Sequence, residues 1–496
     1  MMHHHRSPAL SISNFKSAVS VYDGCRMHLP SSIPAIRGID RWLHPLYRRI
    51  TGMREWLMLR VRPAGIGVMA VLVLAACLTI GHERAATRQL LAAAGAMSLI
   101  SLSWVMLRRA KVSAVRELPR VASVGVPLRF DVVIRNDGSR PLRRAWWMER
   151  SADASPTMED FCLLREPGEH ERNRFDRTFA WFRWQWLMWR NRTFRGGMGD
   201  EEIRLPPGGT MRVTVEWTPL RRGVIEFSDA RLLLPDPFGL LQRCLRVRAG
   251  VDRITVFPAR HSLPSLDLPG AESWRNPGES ESDAIGDHGG FTGLREYQPG
   301  DPLRRIHWRS WAKIGRPIVK ELEERSRPRH ALLLDPCGED PSGQAFEACV
   351  SVAASFAMLA DDDQGSIDLI MLQDGLRVVR AGDGNGGSEV LLEALAGVTM
   401  QHEGALDSLA DAVCHDATDR TSCLVILHDW NDARAAFLNK LRMIQIPVVP
   451  LIVGMGERPA GVPGHWLDWH HLARDLMKLP PRLDAEDELA FTARQG

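Results

Sequence analysis

The sequence predicts a multi-domain protein: a two-helix transmembrane hairpin, an immunoglobulin-like β-sandwich and an α/β domain of the Rossmann type. Two uncharged apolar runs predict the hairpin, Ala64 to Ile80 and Gln89 to Leu107. Short alternating segments from Val112 to about Pro258 predict the sandwich. Strand and helix patterns that alternate from His330 onward predict a mainly parallel sheet wrapped by helices. With 496 residues, 45% of them hydrophobic, the chain holds two or three globular domains. Its net charge of +3 is too small to argue for nucleic acid. The eight cysteines include no CxxC pair, which fits reduced thiols rather than a disulfide framework or a zinc site.

Residues 1–62 read as a basic cytoplasmic segment, with no short apolar core and cleavage site of the secretory kind. Within it, Ile36 to Leu59 places Trp42, Leu46, Ile50 and Leu57 near helical spacing, an amphipathic helix suited to anionic headgroups. The first 30 residues read equally as a disordered tail. The hairpin occupies 63–108. Each apolar run spans most or all of a hydrocarbon core of about 30 Å. Small residues such as Gly65, Gly67 and Ala92 to Ala96 favour close packing of the pair. Arg60 and Arg62 before the hairpin, with Arg108, Arg109 and Lys111 after it, place both ends in the cytoplasm despite Arg84 and Arg88 in the link.

The sandwich is expected over 111–260. Leu128 to Ile134 and Met211 to Trp217 alternate, Asn136-Asp137-Gly138 reads as a hairpin turn, and Arg253 to Phe257 closes the region. Gly223 and Gly239 suit tight turns, and Phe238 is placed to plug the sandwich end. An insert at 151–205 carries Trp181, Trp184, Trp186 and Trp189 beside Arg183 and Arg190. Tryptophan with arginine suits a membrane interface, and also a partner-docking helix.

Residues 261–330 are expected to hold a linker, rich in Pro, Ser, Glu and Gly from Pro258 to Gly290, and the densest stretch of the chain, Gly289 to Glu324. Arg295, Arg304, Arg305 and Arg309 offer planar donor forks, Glu296 and Asp301 offer carboxylates, and Trp308 and Trp311 offer flat apolar faces. Gln298-Pro299-Gly300-Asp301 has type II turn chemistry. The stretch reads as an irregular clasp at a domain junction; the alternative is a basic surface loop with two buried tryptophans. The run Leu294-Arg295-Glu296-Tyr297, then Pro299-Gly300-Asp301, then Arg304-Arg305-Ile306-His307-Trp308, resembles the signature of the domain-of-unknown-function 58 family. Ser310-Trp311-Ala312-Lys313 stands where that family more often has Ala-Ser-Ala-Arg. The resemblance implies a bacterial inner-membrane protein with a von Willebrand factor A-like domain and a MoxR-type AAA+ ATPase as partner. It also marks Arg295, Glu296, Tyr297, Gly300, Asp301, Arg304, His307 and Trp308 as structural or partner-binding residues.

The von Willebrand A-like domain is expected over 331–480, with one antiparallel hairpin at Asp374-Gly375. Ligands in open α/β sheets bind beyond the carboxyl ends of the strands, where Asp335 and Asp429 fall. The metal-binding members of that class carry Asp-x-Ser-x-Ser; this chain has Asp335-Pro336-Cys337-Gly338-Glu339, a degenerate site. Asp335, Glu339 and Asp429 are therefore the candidate Mg²⁺ ligands, with Thr399 a loose addition, and strand-end carboxylates capping helices are the alternative. No GxSxG, HExxH or P-loop occurs. His307 beside Asp301 as an acid–base pair, and Cys337 beside Glu339 as a thiol site, are the residual catalytic options. The expected function is a non-catalytic membrane scaffold working with the AAA+ ATPase in complex assembly or maturation. A metal-dependent adhesion module or hydrolase is the alternative.

Overall fold

A computed structural model of the chain describes residues 38–81, 85–269, 290–299, 301, 303–323, 329–337, 343–361, 366–373, 375–381, 386–401, 405–415, 421–443 and 447–483. Helix α1 (Gly38–Met58) begins it, followed by two apolar helices packed side by side, α2 (Pro63–Gly81) and α3 (Ala85–Leu107). Both leave large apolar side chains in the open, among them Ile66, Met69, Leu74, Leu99 and Ile100. Among the described residues α3 alone is long and apolar enough to cross a membrane, and the apolar stretch of α2, Pro63–Thr79, is shorter.

The sandwich-like half-barrel uses β1 (Val112–Glu117), β2 (Val121–Ser123), β3 (Leu128–Asn136), β4 (Leu142–Arg150), β5 (Phe194–Gly199), β6 (Ile203–Leu205), β7 (Thr210–Pro219), β8 (Gly223–Phe227), β9 (Asp229–Pro235), β10 (Gln242–Val247) and β11 (Asp252–Phe257). The larger sheet runs β1-β3-β7-β5-β4-β9-β10, with β6 paired to β4, and the smaller runs β2-β11-β8. A bridge between Ser113 and Arg248 draws the two rims of the large sheet together. Alternating side chains from both sheets fill the core, with Trp147, Trp217, Phe130, Phe194 and Phe227 at its centre. A buried network crosses that core. Arg116 forks onto Glu149 at 2.7 and 3.1 Å, reaches Asp252 at 2.8 Å, and Trp147 donates to Glu149 at 3.1 Å. The burial of Arg116 and Glu149 is tolerable because each charge is both paired and hydrogen-bonded.

Two expectations change here. Asn136-Asp137-Gly138 does not close a hairpin, since β3 and β4 are not neighbours in the sheet. The buried Asn136 amide instead donates to Arg140 O at 3.0 Å and Pro206 O at 3.1 Å, and its Oδ1 accepts from Gly138 N, so the turn redirects the chain. Phe238 is 45% exposed and plugs nothing. Gly223 and Gly239 do take the positive φ their turns require.

Strands β9 and β10 meet at a turn that holds the base of the apolar helices. Arg62 N donates to Leu240 O at 3.0 Å and Gln242 N donates to Arg60 O at 2.8 Å. A Cβ at Gly65 would lie 2.2 Å from Leu240 O, so only glycine permits this approach of α2. Arg243 donates to the last carbonyls of α3, at 2.5 Å to Val105 and 2.8 Å to Met106, satisfying orphan acceptors at a helix C-terminus.

Between β4 and β5 lies the insert: α4 (Met158–Leu163), α5 (Arg174–Phe179) and α6 (Trp181–Arg190). It is shorter than the expected 151–205, because Phe194 to Leu205 belongs to the sheet as β5 and β6.

The signature segment is not irregular. It forms a ribbon, β12 (Gly290–Glu296) antiparallel to β13 (Ile318–Glu323), with α7 (Trp308–Ile314) between them. The α/β domain follows as β14 (Arg329–Leu334), α8 (Gln344–Ala357), β15 (Ser366–Leu372), β16 (Leu376–Arg380), α9 (Gly387–Gly397), α10 (Ala405–His415), β17 (Ser422–His428), α11 (Asp432–Arg442), β18 (Val448–Gly454), β19 (His465–Asp468) and α12 (Leu472–Leu476). Its sheet order is β16-β15-β14-β17-β18-β19, parallel except for the expected hairpin of β15 with β16. Continuous apolar strands such as Ala331 to Leu334 are buried on both faces, as a parallel sheet demands. The first part of the expected linker is a packed strap. Leu266 and Leu268 join the core, and Asp267 N donates to Pro481 O at 2.7 Å.

Candidate functional site

In the ribbon, Arg295 forks onto Asp301, Nη1 to Oδ2 at 2.8 Å and Nη2 to Oδ1 at 2.7 Å. Gln298 N donates to the same carboxylate at 2.8 Å, which fixes the turn before α7. The Arg295 hydrogen bonds, reinforced by that amide, hold the Asp301 carboxyl below its ordinary pKa. Tyr297 N donates to Pro317 O at 2.9 Å and His307 N to Ile318 O at 2.8 Å, while Ile306, Ile318 and Val319 are buried beneath. Glu296 pairs with Arg316 at 2.9 Å on the exposed side. His307 Nδ1 lies 2.6 Å from Ser310 Oγ. Asp301 and His307 thus have separate partners and do not form an acid–base pair. Arg304 is exposed in the turn before α7, and Gly300 lies outside the described residues.

The tryptophans of the ribbon depart from the expectation. Trp308 and Trp311 stack on each other, ring centres 5.1 Å apart, and Trp308 is 62% exposed. Leu294, Leu303 and Ile314 of the same segment are also exposed. The junction between sandwich and α/β domain is held elsewhere. Arg222 donates to Val398 O at 2.6 Å, pairs with Glu347, and lies over the Phe346 ring at 5.4 Å. The sequence marks Gly223 as a turn residue but gives no sign that the arginine before it crosses to the other domain.

At the carboxyl edge of the parallel sheet, Asp335 is buried and fully committed. Its Oδ2 accepts from Arg434 Nε at 2.7 Å and from His428 N at 3.3 Å, and its Oδ1 accepts from Cys337 N at 2.8 Å. Arg434 also donates to Cys337 O at 2.9 Å. A guanidinium from α11 therefore stands against the carboxylate expected to bind Mg²⁺. Asp429 sits at φ 61°, and its carboxylate accepts from Trp430 N at 2.8 Å. Glu339 lies outside the described residues. Among the described residues no three His, Cys, Asp or Glu side chains converge. Among the described residues the donors do not fit a divalent cation, because the Asp335 carboxylate is neutralised by Arg434 and Asp429 alone offers too few free oxygens. Cys337 is buried, which does not suit a reactive thiol. Sequence distance hid Arg434, which no motif ties to Asp335.

The tryptophans of the insert divide. Trp184 is fully buried with Leu187, Phe161, Leu43 and Tyr47, so the interface reading is corrected there: this ring is the core that joins the insert to α1. Arg183 is buried on Glu169 and donates to Phe161 O at 3.2 Å. Trp181 and Trp186 are half-buried against the same cluster, and Trp189 is 59% exposed.

Comparison with known proteins gives a family match over part of the chain. Residues 293–450 match the sequence model of a family described as "Protein of unknown function DUF58". A Bacillus subtilis (strain 168) protein described as "Uncharacterized protein YeaD" is 28% identical over 148 residues, 29% of this chain and 35% of that protein. The chain thus matches about a third of that relative's length. The resemblance carried by Leu294 to Trp308 is borne out. Among solved structures, the CARDB domain of a Pyrococcus furiosus protein in complex with di-metal ions is 10% identical, covering 30% of this chain and 88% of its own, with a TM-score of 0.15. The manganese-loaded TRAP protein of Plasmodium vivax is 14% identical, covering 34% of this chain and 72% of its own, with a TM-score of 0.19. Neither superposition bears on mechanism.

Proposed function

We propose that this chain, with its DUF58 match over residues 293–450, is a membrane-anchored, non-catalytic scaffold. In this reading α2 and α3 thread the bilayer as a hairpin, and the half-barrel and the α/β domain stand at the cytoplasmic face. We read the half-barrel as immunoglobulin-like and the α/β domain as von Willebrand A-like, with Arg434 supplying the cation that metal-binding relatives take from solution. One observation carries the anchoring: the apolar outer surface of α2 and α3, covered by no other part of the described chain at residues such as Leu74, Leu99 and Met106, rises from a base clamped by Leu240 and Arg243. Apolar surface of that extent is stable only in lipid or against protein. The positive-inside rule then sets the orientation.

The ribbon is the docking face for a partner, and the resemblance names a MoxR-type AAA+ ATPase. Its exposed Trp308, Leu303 and Ile314, with exposed Arg304, Arg309 and Arg316 in the same segment, have the aromatic and arginine character of interface anchors. The test is retention of the ATPase on the full-length chain in detergent, with and without nucleotide. Nucleotide-dependent retention that Trp308→Ala weakens is expected; retention indifferent to both would remove the reading.

A further inference from the structure

Helix α1 is gripped on two of its three sides. Leu43 and Tyr47 enter the Trp184–Phe161 cluster of the insert, and Tyr47 donates to Phe179 O at 2.7 Å. His44 Nε2 meets Pro156 O at 2.9 Å. On a second side, Arg150 of β4 donates to Glu55 at 2.7 Å, and Gln242 of β10 reaches Leu59 O at 3.1 Å just past the helix. The third side is bare. Ile39, Trp42, Leu46, Ile50, Met53 and Leu57 recur every three or four residues and are all exposed, Trp42 at 80% and Met53 at 70%. At about 100° per residue the exposed stripe spans an arc of about 80°, the Leu43–Tyr47 face begins at its edge, and Glu55 lies roughly opposite.

We propose that this bare face lies in the headgroup layer of an anionic membrane, so that α1 is an interfacial helix and the Trp-rich insert is the cradle that holds it there. Three features select lipid over another occupant. The stripe runs over five turns without an acidic residue in it. Exposed Arg49 and Arg54 border it on the helical wheel, where guanidinium groups reach phosphate while their stems stay on the apolar side. The chain passes from α1 into α2 through Leu59 to Arg62, and both ends of that link are tied to the β9–β10 turn, which sets the end of α1 at the base of the apolar helices. The inference rests on the membrane reading above. It extends that reading, because a hairpin alone needs neither the stripe nor the cradle.

The test uses the full-length chain with p-benzoylphenylalanine in place of Trp42, Met53 or Leu99, photolysed in nanodiscs containing phosphatidylglycerol and in native membranes. Position 99 on α3 reports the hairpin; positions 42 and 53 report α1. Lipid adducts at all three positions are expected. At 53 the yield should fall severalfold when phosphatidylcholine replaces phosphatidylglycerol, or when Arg49→Gln and Arg54→Gln are combined. A lipid adduct at 99 with protein adducts, or none, at 42 and 53 overturns the interfacial helix and leaves the hairpin standing. A dimer-sized product at 42 or 53 would assign the face to a second copy of the chain. Absence of lipid at 99 would remove the membrane reading itself. A yield at 53 indifferent to headgroup charge overturns the anionic preference.

Discussion

Replacing Arg434 by methionine keeps the aliphatic stem but removes the cation that Asp335 faces. The carboxylate would lose a 2.7 Å charge-assisted bond and keep two backbone donors, Cys337 N at 2.8 Å and His428 N at 3.3 Å. Its side chain is 0% exposed, so water does not replace the lost partner. Breaking one half of a buried ion pair costs about 3–5 kcal/mol, and the two remaining amides place this case near the lower end. For a domain of this size that corresponds to a melting shift of roughly 6–12 °C. The assay is a thermal melt of the full chain in detergent, with hydrogen exchange in β14 and β17 assigning the transition to the α/β domain. Asp335→Asn combined with Arg434→Met should recover more than half of the loss, because no buried charge is then left unpaired. Wild-type protein should show no stabilisation by Mg²⁺ or Mn²⁺. A shift below about 1 °C for Arg434→Met, or a double variant no better than the single one, would refute the internal-cation argument.

Trp184→Ala should empty the α1–insert cluster at a cost of about 3–5 kcal/mol. Protease cleavage within α1 should then rise while the α/β domain melts as before; unchanged cleavage would contradict the cradle. Arg222→Ala removes the hydrogen bond to Val398 O, the ion pair with Glu347 and the contact with Phe346. Hydrogen exchange around 398 should accelerate, and equal protection in both proteins would show that the junction is held by other contacts. Asp301 has a depressed folded pKa, so its contribution to ribbon stability is present above the unfolded value of about 3.9 and is lost as pH falls through the folded one. The ribbon should therefore loosen at strongly acidic pH, and Asp301→Asn should show that looser state already at neutral pH. A ribbon whose exchange is flat across this range would argue against the fork.

The α/β domain was legible because its strands are unbroken apolar runs, such as Ser422 to His428, that only a doubly covered sheet can bury. The apolar helices were legible for the same kind of reason: Ala64 to Ile80 carries no charge on any face. The ribbon was not. Arg295 and Glu296 in β12, with Lys320 and Glu321 in β13, dilute the alternation that reveals a strand, and the pairing that orders them spans the whole turn and α7. Periodicity also cannot say which of several amphipathic faces will be covered. Trp184 and Trp189 have the same chemistry five residues apart on one helix, yet the first is core and the second is exposed, because α1 arrives from more than a hundred residues upstream. Arg434 is the extreme case: 99 residues separate it from Asp335, and a lone arginine in an amphipathic helix reads as surface charge.

The proposed cytoplasmic placement of the half-barrel and the α/β domain underlies the account, and a protease-cleavable tag after Gly496 measures it. In intact spheroplasts the tag should resist added protease, and in inverted membrane vesicles it should be removed. Cleavage from outside intact spheroplasts would put the ribbon and the α/β domain on the far side of the membrane, beyond reach of any cytosolic ATPase.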